Sequence, residues 1–144
     1  MAVLTVMGIP ESWRKVTHDD LHYRPHMMHL FSSVDLTVDG VEFRNSPNHN
    51  VYLVDSTRVR IRNLRVEAPA FSPNTDGVNF EGGQDQSIVD SHISNGDDCI
   101  SVVCSDSSET KMGYGGNVYV SNMSHASMAM VCPLAASAMA RSLI

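Results

Sequence analysis

Apolar positions recur along this chain in a short pattern: apolar, any, apolar, any, a turn-type residue, then an apolar residue three positions on. It runs Leu36-Thr37-Val38-Asp39-Gly40 with Phe43, then Val59-Arg60-Ile61-Arg62-Asn63 with Val66. A weaker copy is Gln86-Ser87-Ile88-Val89-Asp90 with Ile93, and a partial one is Val118-Tyr119-Val120-Ser121-Asn122. Successive copies begin 23, 27 and 32 residues apart. A second alternating segment lies between them: Val51-Tyr52-Leu53, Val78-Asn79-Phe80 and Ile100-Ser101-Val102, each flanked by Asn, Asp, Gly or Pro. Period-two alternation bounded by turn residues reads as a strand. Two or more short strands per repeat, without helical periodicity, predict an all-β chain coiled as a right-handed parallel β-helix. Periodicity alone leaves a β-sandwich open.

Coiling gives the polar positions meaning, because neighbouring coils sit about 4.8 Å apart. Asp76 precedes Val78 by two residues, and Asp98 precedes Ile100 by two. They should hold the same place on consecutive coils, with Asp97 beside them. Carboxylates this close raise one another's pKa, a cost that catalytic sites put to use. Glycoside hydrolysis needs one protonated carboxyl for the leaving oxygen and one carboxylate to activate water or attack carbon. A calcium site or a solvated turn is the competing reading, since Asn-Gly-Asp-Asp is also good turn chemistry.

Composition narrows the partners. The 144 residues are 42% hydrophobic, in the globular range, with a net charge of −6 and no basic block. Nucleic acid is therefore not an expected partner. Cations for an anionic polymer would have to be local to a cleft. No apolar run approaches the roughly 20 residues of a membrane span, and Met1–Gly8 does not read as a signal peptide. Of Cys99, Cys104 and Cys132, the first two could close a small loop, but spacing does not establish it. His22, His26 and His29 lack a helical ligand face, so stacking or surface roles are expected and no metal or cofactor. Ser105–Gly116 reads as a loop between coils, Asn122-Met123-Ser124 as a glycosylation sequon, and Trp13 and Tyr23 as sugar-stacking or core residues.

Ser72-Pro73-Asn74-Thr75-Asp76-Gly77-Val78 and Asn95-Gly96-Asp97-Asp98-Cys99-Ile100-Ser101 resemble the two central motifs of the polygalacturonase family of glycoside hydrolases. Arg24-Pro25-His26 and Asn45-Ser46-Pro47 look like the family's preceding coils, and the resemblance runs from about Trp13 to Asn122. It implies an incomplete, pectin-lyase-like β-helix and an extracellular, monomeric, inverting hydrolase of α-1,4-linked galacturonan. In that reading Asp97 is the general acid, Asp76 and Asp98 position and activate water, and Asn74 orients the cluster. Pectic polysaccharide is the expected partner, with rhamnogalacturonan or xylogalacturonan as alternatives.

The family continues with Gly-His-Gly, an Ile-Gly-Ser-like run and Arg-Ile-Lys, none of which is intact here. Ser124-His125-Ala126 is at best a loose match, and Met128–Ile144, rich in Ala and Met, reads as a tail or weak helix. A shifted reading frame offers an account. Reading each codon's third base with the next codon's first two, Met128–Ala138 permits Gly-His-Gly-Leu-Ser-Ile-Gly-Ser-Leu-Gly, with two of the glycines forced. The expected organisation is a partial β-helix domain over residues 1–123 and a non-native or disordered tail over 124–144, after a frame slip near Met123–Ser124.

Overall fold

The computed structural model describes residues 2–5, 24–103, 116–124 and 128–131. Trp13, His22, Tyr23, Cys104, most of the loop expected at Ser105–Gly116, His125 and residues 132–144 lie outside them. The described residues form strands and turns without a helix, and every strand pairing is parallel.

Three ladders wind around one core. The first stacks β2 (Met28–Phe31), β5 (Val51–Val54), β8 (Val78–Glu81), β10 (Ile100–Val103) and β12 (Met128–Val131). The second stacks β3 (Thr37–Asp39), β6 (Arg60–Arg62) and the first half of β9 (Gln84–Ser94). The third stacks β1 (Ala2–Thr5), β4 (Val41–Arg44), β7 (Arg65–Glu67) and the second half of β9. Long β11 (Gly116–Ser124) lies along both halves of β9. This is the parallel β-helix that the repeat predicts.

The repeat also predicts the register. Val38, Ile61, Ile88 and Val120 stack as direct partners, as do Phe43, Val66 and Ile93, and Val51, Val78 and Ile100. These rows face inward, and Phe43, Ile61, Ile88, Ile93, Val51, Val78 and Ile100 are fully buried. Each coil contributes the same few side chains at the same height, so a period-two pattern suffices to build the core.

The corner between the second and third ladders is set by backbone conformation. Gly40, Asn63, Asp90 and Asn122, the turn positions of the repeat, have φ of 66°, 51°, 50° and 50°. Gly, Asn and Asp are the residues that enter this left-handed region most readily. Two further corners recur in register, at Ser32, Asp55 and Gly82 and at Asp35, Arg58 and Asp85.

Met128–Val131 departs from the tail or weak helix expected there. It is a strand, β12, partnered residue for residue with β10. The parallel edge of β10 offers unpaired backbone groups that any adjacent extended segment can satisfy. Similarly, Gly116, the last residue of the expected loop, already begins β11.

Candidate active site

The bends entering the first ladder carry the polar motifs. Asn50, Gly77 and Cys99 hold equivalent inward places, fixed by Val51 N–H to Gly77 O at 3.0 Å and Val78 N–H to Cys99 O at 3.0 Å. Gly77 is required by contact: a Cβ there would lie 2.3 Å from the Cys99 carbonyl and 2.6 Å from an Ile93 methyl. Gly96 is similarly closed in, with a Cβ meeting the Ser72 carbonyl at 2.2 Å. The glycines of the two motifs thus let consecutive coils touch backbone to backbone.

The residue before each inward position points outward. Counting back through the register, His26, His49, Asp76 and Asp98 occupy one row across four coils. The placement expected for Asp76 and Asp98 therefore holds. Asp97 is exposed beside them.

Hydrogen bonds tie the motifs together. The Thr75 hydroxyl donates to Ser72 O at 2.9 Å and accepts Gly96 N–H at 3.0 Å. The Asn95 amide donates to Thr75 O and Asp98 O, both at 2.9 Å. One Asp97 oxygen accepts Asn74 N–H at 2.8 Å, and the other accepts Asp98 N–H at 3.0 Å. Asn74 sits at φ 57°. Its side-chain oxygen accepts Arg24 Nη2 at 2.8 Å, while Arg24 Nη1 donates to Pro47 O and Pro73 O at 3.1 and 3.0 Å. Arg24 is 4% exposed, so its charge is spent clamping three coils. Asn74 does reach the cluster, through its backbone.

Electrostatics drives the stacked carboxylates apart. Burial alone would raise Asp76, but His49 Nδ1 lies 3.1 Å from one oxygen and the Asn79 amide donates to the other at 3.0 Å. These partners outweigh burial and hold Asp76 below the ordinary carboxylate range. Asp98 moves the other way, raised by burial and then by the charges of Asp76 and Asp97. Titratable neighbours pushed in opposite directions are the arrangement that acid–base chemistry uses.

A ring cluster adjoins Asp76. His26 stacks on His49 with centroids 4.9 Å apart and planes 9° apart, and Tyr52 lies within 5.4 Å of His26, His29 and His49. The stacking role expected for His26 and His29 is thus observed. His49, Arg24, Asn79 and Tyr52 escaped the sequence reading as site residues. The two-residue offset that located Asp76 and Asp98 also locates His49, two residues before Val51. The Cys99 sulfur is buried, 3.5 Å from Asn95 Oδ1.

Known proteins place this geometry. Residues 5–126 match the family described as glycosyl hydrolases family 28. The chain is 36% identical over 91 residues to a probable polygalacturonase of Vitis vinifera, covering 62% of the chain and 18% of that protein. It is 40% identical over 68 residues to an exopolygalacturonase of Arabidopsis thaliana, covering 47% and 16%. It is 35% identical over 79 residues to polygalacturonase-2 of Solanum lycopersicum, covering 55% and 17%. The matched segments span less than a fifth of each of these relatives. The extent of the family match, with both motifs inside it, shows that the chain belongs to family 28 of the glycosyl hydrolases.

Proposed function

We propose that the chain cleaves α-1,4-glycosidic bonds of polygalacturonan with inversion at the anomeric carbon. The observation that carries this reading is the opposite displacement of Asp76 and Asp98 on adjacent coils, with Asp97 between two backbone donors. Asp76, held ionised by His49 and Asn79, serves as the base toward water. Asp98, raised by burial and by the charges of Asp76 and Asp97, shares that water, and Asp97 serves as the acid toward the leaving oxygen. Inversion places a water between acid and base, which requires a gap of roughly 6.5–9.5 Å. The polygalacturonase relatives support the pectic substrate, and a polymer of the cell wall supports an extracellular site of action. A monomer suffices, because the three carboxylates come from one chain.

At the place where the family resemblance implies Gly-His-Gly, the chain reads Ser124-His125-Ala126. That departure favours a second reading, a β-helix that binds pectic polysaccharide without cleaving it. We attribute the departure to a frame slip near Met123–Ser124. Sequencing the coding DNA decides this: codons for Ser124–Ala138 that are unable to spell the motif in the shifted frame would end the idea.

Release of reducing ends from polygalacturonic acid separates the functional readings. Asp97→Asn should lower the rate by about 10²–10⁴-fold, the usual contribution of a general acid. Loss of activity with an unchanged circular dichroism spectrum supports hydrolysis. A well-folded wild-type chain without activity supports the binding protein.

A further inference from the structure

The ring cluster is not needed to explain the carboxylates, yet it is continuous with them. His26 and His49 occupy the two places of the outward row before Asp76. His29 and Tyr52 are direct partners in the adjacent outward row, which continues with Asn79 and Ser101. Phe31, two residues beyond His29, is 63% exposed. A strip of rings about two coils wide therefore leads up to the carboxylate cluster along the same face. Polar-edged rings of this kind offer an apolar body and a hydrogen-bonding tip to a ligand.

Charge selects the ligand. A sugar carrying its own carboxylate is repelled by Asp76, Asp97 and Asp98, so its neighbouring subsite has to supply cations or donors. Arg24 does not, because its guanidinium is bonded to Pro47, Pro73 and Asn74. The imidazoles do. His26 is a poor cation: burial first, then His49 and His29, push it down to about 4, against an opposing pull from Asp76. His29, by contrast, is exposed and open to a ligand. Glu81, the acid nearest Tyr52, accepts the Tyr52 hydroxyl. Among the described residues, no set of three or more His, Cys, Asp or Glu side chains is gathered to hold a metal ion.

We propose that His26, His29, His49 and Tyr52 form a subsite for a uronate sugar, whose ring packs on the imidazole–phenol strip and whose carboxylate is taken by His29. The proposal rests on the polygalacturonan reading and identifies where the sugar next to the cleaved bond is held.

The test is titration of the full chain at pH 5 with trigalacturonate, following the histidine ring resonances by NMR, with neutral α-1,4-galactotriose as the control. Trigalacturonate should shift the His26, His29 and His49 resonances and bind more tightly than the neutral trisaccharide. Exposed His29→Gln, which leaves the core untouched, should weaken binding up to about fivefold, the scale of an exposed ion pair. Equal affinity for the two sugars, or imidazole resonances that stay unmoved, overturns the subsite. If polygalacturonate is cleaved while those resonances stay still, the subsite fails and the hydrolase reading stands. If they respond in a chain that cleaves nothing, the subsite stands without it.

Discussion

Two neighbouring rows of the same coils live under opposite constraints. The inward row, Asn50, Gly77 and Cys99, is fixed by contact, down to a glycine with no room for a single added carbon. The outward row, His26, His49, Asp76 and Asp98, changes from imidazoles to carboxylates in the space of one coil. Parallel coiling separates the two tasks. Backbone pairing and the inward side chains hold the scaffold, so outward positions can be rewritten coil by coil. The outward row pays for its freedom in charge and desolvation rather than in packing.

The sharpest way to break this contrast is on the inward row. Gly77→Ala should destabilise the chain by about 3 kcal/mol, because its Cβ meets backbone and branched core atoms that have little freedom to retreat. Urea unfolding measures this, and a cost below about 1 kcal/mol would show that the coils can slide apart there.

A smaller effect comes from the ring end of the outward row. His26 has a folded pKa of about 4, below its unfolded value. Its unfolded form therefore takes up a proton first, and the fold loses stability as pH falls from about 6.5 toward 4. After allowing for solvent screening of a half-buried ring, the loss is about 1–2 kcal/mol. His26→Phe should flatten the stability profile across that window. An equally steep profile in the variant would place the effect elsewhere.

The smallest effect, with the opposite sign, belongs to the carboxylate end. Asp98 is raised in the folded state, so its ionisation works against the fold at pH values above the ordinary carboxylate range. Asp98→Asn should therefore raise stability at pH 7 by about 0.5 kcal/mol, a gain typical of relieving strain at a functional site. Thermal unfolding at pH 7 reads this, and a lower Tm would mean that Asp98 holds the bend together.

How much of this was legible follows from the same contrast. Rows such as Val38–Ile61–Ile88 repeat one chemistry at one spacing, so sequence alone reveals both strand and register. Asp76 and Asp98 were legible because a fixed offset from those rows carries them to one face. His49 obeys the same offset, but a ring beside a carboxylate carries no repeated signal. Arg24 was less accessible still. Its bonds reach carbonyls and an amide roughly one and two coils away, and carbonyl acceptors leave no trace in side-chain identity. Strand β12 was missed because Met128–Val131 lacks the alternation of the other strands and is held by the edge it pairs with.

The central claim is that acid and base lie on opposite sides of a water, carried by adjacent coils. The stereochemistry of the first product tests it most directly. NMR of polygalacturonate during the first turnovers should show new reducing ends appearing as the β-anomer and then relaxing toward the equilibrium mixture. New ends that appear first as the α-anomer would mean retention, and would contradict the assignment of Asp76 and Asp98 to water.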